Sequence, residues 1–334
     1  MNLHHILAAP LLGLCAATAS AAPFSAVVSL GDSNSDTGNV HRLEPTLPVT
    51  PPYFDGRFSD GPVAVEHLAA QLGVPLVDLA WGGALTGQDN LLPGATVDLS
   101  GTGVLGQVDR LLAQQPVLDA DALYVVWAGG NDFLLALADP AEAAANLATA
   151  LQRLHDAGAR SFLLPTLHDL ADLPLVRGLG SRAVNLFGAM GDSFNDALRG
   201  HGADLASAWP DASLRLFDTD AVLAGLQAGG AFDGVDLDTP CVSGNFIQVS
   251  AVCADPRQHV YWDGTHLSAV VHAQLGQAMA AAVPEPSAFM LVAMGVAAAW
   301  LRVRGANQRR LSTCDTAASA APACKSANCH SAPG

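Results

Sequence analysis

Residues 26–33 read AVVSLGDS. The first five form an apolar, partly β-branched run, short for a helix and suited to a buried strand. Gly31 ends the run and lets the chain turn, so that Ser33 is presented just past the end of a strand. Four more runs share this character, at 74–79, 122–127, 161–166 and 213–217. Helical patterns lie between them. Residues 63–72 carry apolar side chains at 65, 68, 69 and 72, and residues 104–115 at 104, 105, 108, 111 and 112, the spacing of one helix face. Asp139-Pro140 reads as an N-cap with proline in the first helical position. It opens a helix to about Asp156, which Gly158 stops. Further helices are expected at 179–199 and 268–282. This alternation predicts a parallel sheet of five strands with helices on both faces. No internal repeat and no second domain is evident. Residues 40–60 and 85–103, rich in Pro, Gly and Asp, read as surface loops that can border a cleft.

Ligands of open α/β sheets bind beyond the carboxyl ends of the strands. There the sequence offers Gly31-Asp32-Ser33, Trp81-Gly82-Gly83, Gly129-Gly130-Asn131-Asp132 and His168. A serine hydroxyl is a weak nucleophile until a base takes its proton. The pair Asp263 and His266, three residues apart, supplies that base: the carboxylate reaches Nδ1 and leaves Nε2 to face a serine. The backbone N–H groups of Ser33 and Gly83 and the Asn131 amide are candidate donors to a developing oxyanion. Gly191-Asp192-Ser193 repeats the first triplet but sits in a helical pattern, so Ser193 reads as a helix residue. No G-x-S-x-G elbow occurs. His266 and His272 lack a surrounding carboxylate set, and neither H-E-x-x-H nor a body C-x-x-C is present, so no metal and no cofactor is expected.

Taken in order, these blocks resemble the GDSL/SGNH esterases. GDSNSDTGN is similar to the first block of that family, DLAWGGA to the second with Gly83, YVVWAGGNDF to the third with Asn131, and VYWDGTHLSAVVH to the fifth with Asp263 and His266. DGRFSDGPVAVEHLAAQLG and a cysteine pair before the last block match its lipase-like branch. Leu267 stands where the family often has proline. The resemblance covers about residues 25–282. It implies a three-layer α/β/α sandwich of flavodoxin-like kind and a metal-independent acyl-enzyme at Ser33. His266 would act as base and then acid, oriented by Asp263. The expected substrate is a carboxylic ester, either an acetylated polysaccharide or a lipid ester. A non-catalytic, exopolysaccharide-associated surface protein that keeps the fold is the alternative.

The chain of 334 residues has a net charge of −16, and residues 23–282 hold 10 Arg, no Lys and 29 acidic residues, a net −19. Such a body argues against nucleic acid, whose phosphates require Lys and Arg. Residues 1–22 read as a signal peptide: an apolar run at 6–17, then small residues at Ala19, Ala21 and Ala22. Cys15 follows Leu14 rather than a small residue, against a lipoprotein site. Residues 23–282 form the expected hydrolase domain. Val283-Pro284-Glu285-Pro286, an apolar run at 287–301 and then arginines resemble a PEP-CTERM sorting signal at 283–304. As a helix the run spans only ~22 Å at ~1.5 Å per residue, short of a ~30 Å hydrocarbon core. The resemblance implies transient insertion in the inner membrane, cleavage by an exosortase-type enzyme, and a final location in the periplasm, at the outer surface or outside the cell. A lasting anchor is the other reading. Residues 305–334 are a low-complexity tail. Excluding Cys15 and the tail leaves Cys241 and Cys253, a disulfide pair in an oxidising compartment or two buried thiols otherwise.

Overall fold

In the computed structural model, which describes residues 24–283, strand β1 (Val27–Gly31) lies between β2 (Leu76–Asp78) and β3 (Leu123–Trp127). Beyond β3 come β4 (Ser161–Pro165) and β5 (Ser213–Phe217), giving the order β2-β1-β3-β4-β5 with every pairing parallel. This is the flavodoxin-like order, whose switch point falls between β1 and β3. Every residue of β1 and β3 is buried, as strands covered on both faces must be, and this is why they read as unbroken apolar runs. The edge strand β2 pairs only with β1 and is shorter than its apolar run suggests.

In chain order the helices are α1 (Asn39–Leu43), α2 (Ala64–Leu72), α3 (Val104–Gln114), α4 (Gly130–Leu134), α5 (Pro140–Asp156), α6 (Pro174–Gly178), α7 (Ser181–Ala208), α8 (Thr219–Ala228) and α9 (Ala269–Ala282). α3, α5 and α7 pack side by side, and α2 packs on α9. Right-handed crossovers put these two groups on opposite faces of the sheet, making three layers. α5 starts at Pro140 with Asp139 accepting from Ala141 and Glu142 N–H. α7 runs nine residues past the expected end at 199 and contains Gly200 and Gly202. A Cβ on Gly202 would lie 3.7 Å from the side chains of Leu164, Leu214 and Leu216. Close packing on the sheet therefore carries the helix through glycines that cost about 1 kcal/mol each in propensity.

Absent from the sequence reading are the short helices α1, α4 and α6, the helix α8, capped by the Asp218 carboxylate on Ala221 N–H, and an antiparallel hairpin of β6 (Val242–Gly244) and β7 (Val249–Val252). The expected signal peptide at 1–22, the sorting segment at 283–304 except Val283, and the tail at 305–334 lie outside the described residues. Among the described residues no helix is long and apolar enough to cross a membrane.

Candidate active site

The loops after β1, β2 and β3 converge at the carboxyl rim, and buried carboxylates join them. Asp36 accepts N–H bonds from Gly38 (2.8 Å) and Val40 (3.2 Å) in its own loop and from Gly82 (2.8 Å) in the loop after β2. Asp132, at the start of α4, takes the Thr86 N–H (3.0 Å) and hydroxyl (2.6 Å). From α3, Gln107 accepts the Gly31 N–H at 2.8 Å and donates to the Gly31 carbonyl at 2.7 Å. A Cβ on Gly31 would sit 2.2 Å from the Trp127 carbonyl oxygen. The demand on Gly31 is thus close approach of β3; its φ is not positive. Gly83 does adopt a left-handed φ of 78°, and a Cβ there would meet Asn90 and Leu92.

Ser33, 7 % exposed, has its hydroxyl 3.0 Å from Nε2 of His266. Nδ1 of His266 lies 2.8 Å from Oδ2 and 2.9 Å from Oδ1 of Asp263. Asp263 is 1 % exposed and also accepts the N–H groups of Thr265 and His266, each at 2.8 Å, and the Tyr53 hydroxyl at 2.6 Å. Burial opposes its charge. The charge of His266 and the hydrogen bonds from His266, Tyr53 and Thr265 outweigh that and hold the carboxyl below the usual carboxylate range. Burial, then the charge of Asp263, pushes the Tyr53 phenol far up, so it stays a donor. The rings of Phe58 and Phe246 lie 5.2 and 5.9 Å from the imidazole and shield it. Next to Ser33, burial pushes Asp32 up to about 6.

Ser33, Gly83 and Asn131 line one cleft. Asn131 Nδ2 donates to the Ala84 carbonyl at 3.1 Å, which fixes the amide plane and leaves its second N–H to the cleft. Among the described residues neither the Ser33 nor the Gly83 N–H has a protein acceptor. The cleft holds about 270 Å³; Leu134, Leu135, Leu167, Leu170, Leu173 and Leu175 line it, with Phe246 and Ile247 at the hairpin tip. His168 also lines it. Burial pushes His168 down to about 4, and neither ring nitrogen has a partner.

Ser193 lies exposed in α7, remote in sequence and setting from this cluster. Cys241 and Cys253 form a disulfide across the base of the β6–β7 hairpin. The Cys241 and Val242 N–H groups bond the carbonyls of Tyr261 and Trp262, at 3.0 and 2.7 Å, so the start of the hairpin is tied to the segment leading to Asp263. His272 is a packing residue: Nδ1 accepts the Ala64 N–H at 3.2 Å, and burial pushes it down to about 3. Sequence reasoning missed Tyr53, Phe58 and Phe246. The first two sit in a stretch without periodicity and the third at a hairpin tip, so no local pattern marks them.

A serine, an imidazole and a carboxylate stand in hydrogen-bonded series, the arrangement of a serine hydrolase, at the switch point of a doubly wound parallel α/β sheet. The chain belongs to the GDSL-like lipase/acylhydrolase family, a family of ester-hydrolysing enzymes, whose model matches residues 27–279. It is 28% identical over 270 residues to a thermolabile hemolysin of Vibrio parahaemolyticus, covering 76% of this chain and 62% of that protein. It is 29% identical over 248 residues to a phosphatidylcholine-sterol acyltransferase of Aeromonas hydrophila, covering 71% and 72%. Thus the chain spans less than two thirds of the hemolysin's length. Among solved structures, a lipase/acylhydrolase from Enterococcus faecalis is similar at a TM-score of 0.42 and 14% identity, over 77% of this chain and 93% of that one.

Proposed function

We propose that this chain is an exported serine esterase that hydrolyses carboxylic esters bearing apolar acyl chains. The observation that carries the reading is the continuous Ser33–His266–Asp263 hydrogen-bond series at the mouth of a leucine-lined cleft. Ser33 Oγ attacks the acyl carbon as its proton passes to Nε2 of His266. The oxyanion is received by the N–H groups of Ser33 and Gly83 and the amide of Asn131. His266 then protonates the leaving alcohol, and the acyl group remains on Ser33. Water, deprotonated by His266, releases the acid. Asp263 keeps the imidazole in the required tautomer and stabilises its charged form.

The leucine lining favours a lipid ester over an acetylated polysaccharide, because an acetyl group leaves most of that apolar surface in water. The similarity to the two bacterial proteins named above supports the same choice. Export, processing by a sorting enzyme and a place outside the cytoplasm rest on the character of residues 1–22 and 283–304. An acyl-length series on synthetic esters, run beside an acetylated polysaccharide, tests the substrate. Rates rising from acetyl to medium and long chains are expected. Preference for the acetylated polysaccharide overturns the lipid reading, and inertness toward all esters overturns the esterase reading. A tag placed after Gly334 tests processing: it should part from the activity in a host with the sorting enzyme.

A further inference from the structure

The mouth of the cleft differs from the rest of the surface in two independent ways. Of the twelve exposed large apolar side chains among the described residues, three line this opening, Leu135, Leu175 and Ile247, and three more, Leu91, Leu137 and Leu179, stand one, two and four residues along the chain from lining residues. Leu137 and Leu179 are each 64 % exposed. Leu137 follows Leu135 by two residues, and Leu179 follows Leu175 by four, one turn of helix, so both stand close along the chain to residues at the opening. Soluble proteins seldom gather exposed leucines on one rim without a partner for them.

The second difference is charge. Residues 91–97, 134–138, 173–180 and 242–252 contain a single charged residue, Arg177, inside a body with 29 acids. Arg177 is itself paired with Asp172 and Asp238. These four stretches thus carry no acid of their own, with Asp172 and Asp238 beside them neutralised by Arg177 in part, while the body behind them is strongly negative. A negative body is repelled by an anionic surface over about a Debye length, and it also disfavours a second copy of itself. A zwitterionic surface meets no such repulsion and offers apolar depth to leucine side chains.

We propose that this rim is a docking face for a zwitterionic lipid surface of the phosphatidylcholine type. The leucines enter the headgroup–acyl boundary and hold the cleft mouth over the lipid. That the partner is lipid rests on the reading that the cleft takes esters with apolar acyl chains.

The test is hydrogen–deuterium exchange on the full chain carrying Ser33→Ala, which leaves the vesicles intact. Phosphatidylcholine vesicles should slow exchange in peptides covering 134–138 and 173–180. The peptide around Val117 should not change; Val117 is 82 % exposed but precedes β3, at the opposite end of the sheet. Leu137→Asp or Leu179→Asp should raise the lipid concentration for half-maximal rim protection about tenfold or more, and Val117→Asp should not. Phosphatidylglycerol vesicles should protect less at low salt, with the gap narrowing as salt rises. Unchanged rim exchange, an equal shift in Val117→Asp, or stronger protection by the anionic vesicles overturns the proposal. Rim protection that grows with protein concentration without lipid also overturns it, because the face is then a contact between copies. Without Ser33→Ala, Leu137→Asp should still hydrolyse a water-soluble acetate ester at the wild-type rate; loss of that rate overturns the docking role. Wild-type inertness toward that ester, with rim protection intact, counts against the esterase reading alone.

Discussion

Gly31-Asp32-Ser33 and Gly191-Asp192-Ser193 are the same three residues in two surroundings. The first follows a strand buried on both faces, and its serine meets an imidazole. The second lies within a 28-residue helix, and its serine faces solvent. In α7 the backbone N–H of Ser193 is committed to the helix ladder, whereas the N–H of Ser33 is left toward the cleft. The triplet carries no chemistry of its own. A strand end supplies a serine whose hydroxyl and N–H both face outward, and distant loops supply the base and the remaining donors.

The sharpest way to break this comparison is to delete each serine. Ser33→Ala should lower kcat by about 10⁴–10⁶ on a soluble ester, and Ser193→Ala should leave it unchanged. Comparable activity in the two variants would dissolve the distinction. Next in size is Asn131, which has no counterpart beside the second triplet. Asn131→Ala should reduce kcat by about 10²–10³ with little change in KM, since the amide is needed most as the oxyanion forms. A change confined to KM would make Asn131 a binding residue instead.

Asp32 sharpens the comparison through pH. Its carboxyl is raised by burial to about 6 from an ordinary 3.8. Between those values the folded state holds a proton that the unfolded state has lost, so this group's contribution to stability falls as pH rises. The loss is on the order of 3 kcal/mol by pH 7. Thermal denaturation of Asp32→Asn should therefore show its Tm rising relative to wild type from pH 4 to 7. A difference constant with pH would show that the site leaves Asp32 ionised throughout. The smallest effect is expected at Tyr53, whose hydroxyl steadies Asp263. Tyr53→Phe should lower kcat about tenfold, the worth of one hydrogen bond to a charged group, with KM nearly unchanged.

How far the sequence revealed all this depended on range. The runs at 26–30 and 122–127 were legible because a strand covered on both faces has almost no polar positions. Asp139-Pro140 fixed the start of α5 because a cap is a local hydrogen-bond problem. Ser33, Gly83, Asn131, Asp263 and His266 were readable as candidates because each sits at a strand end or in a short motif. Tyr53 was not, since its partner lies 210 residues away and residues 40–60 follow no period. The end of α7 was missed because Gly200 and Gly202 signal a stop locally, while the contact that overrides it comes from β4 and β5. The leucine rim was invisible too, because its members come from four separate stretches that only the sheet order assembles.

The two bonds from Gln107 to Gly31 give α3 a mechanical hold on a site it never touches, for none of its residues lines the cleft. An amide side chain is self-complementary to a peptide group, offering one acceptor and one donor at the same reach. Glutamate keeps the acceptor and, when ionised, loses the donor. Gln107→Glu therefore turns half of this grip into a repulsion between two oxygens, two residues upstream of Ser33. The helix acts as a lever arm. Its outer face is linked to the neighbouring helix α5 by the Arg153–Asp109 ion pair.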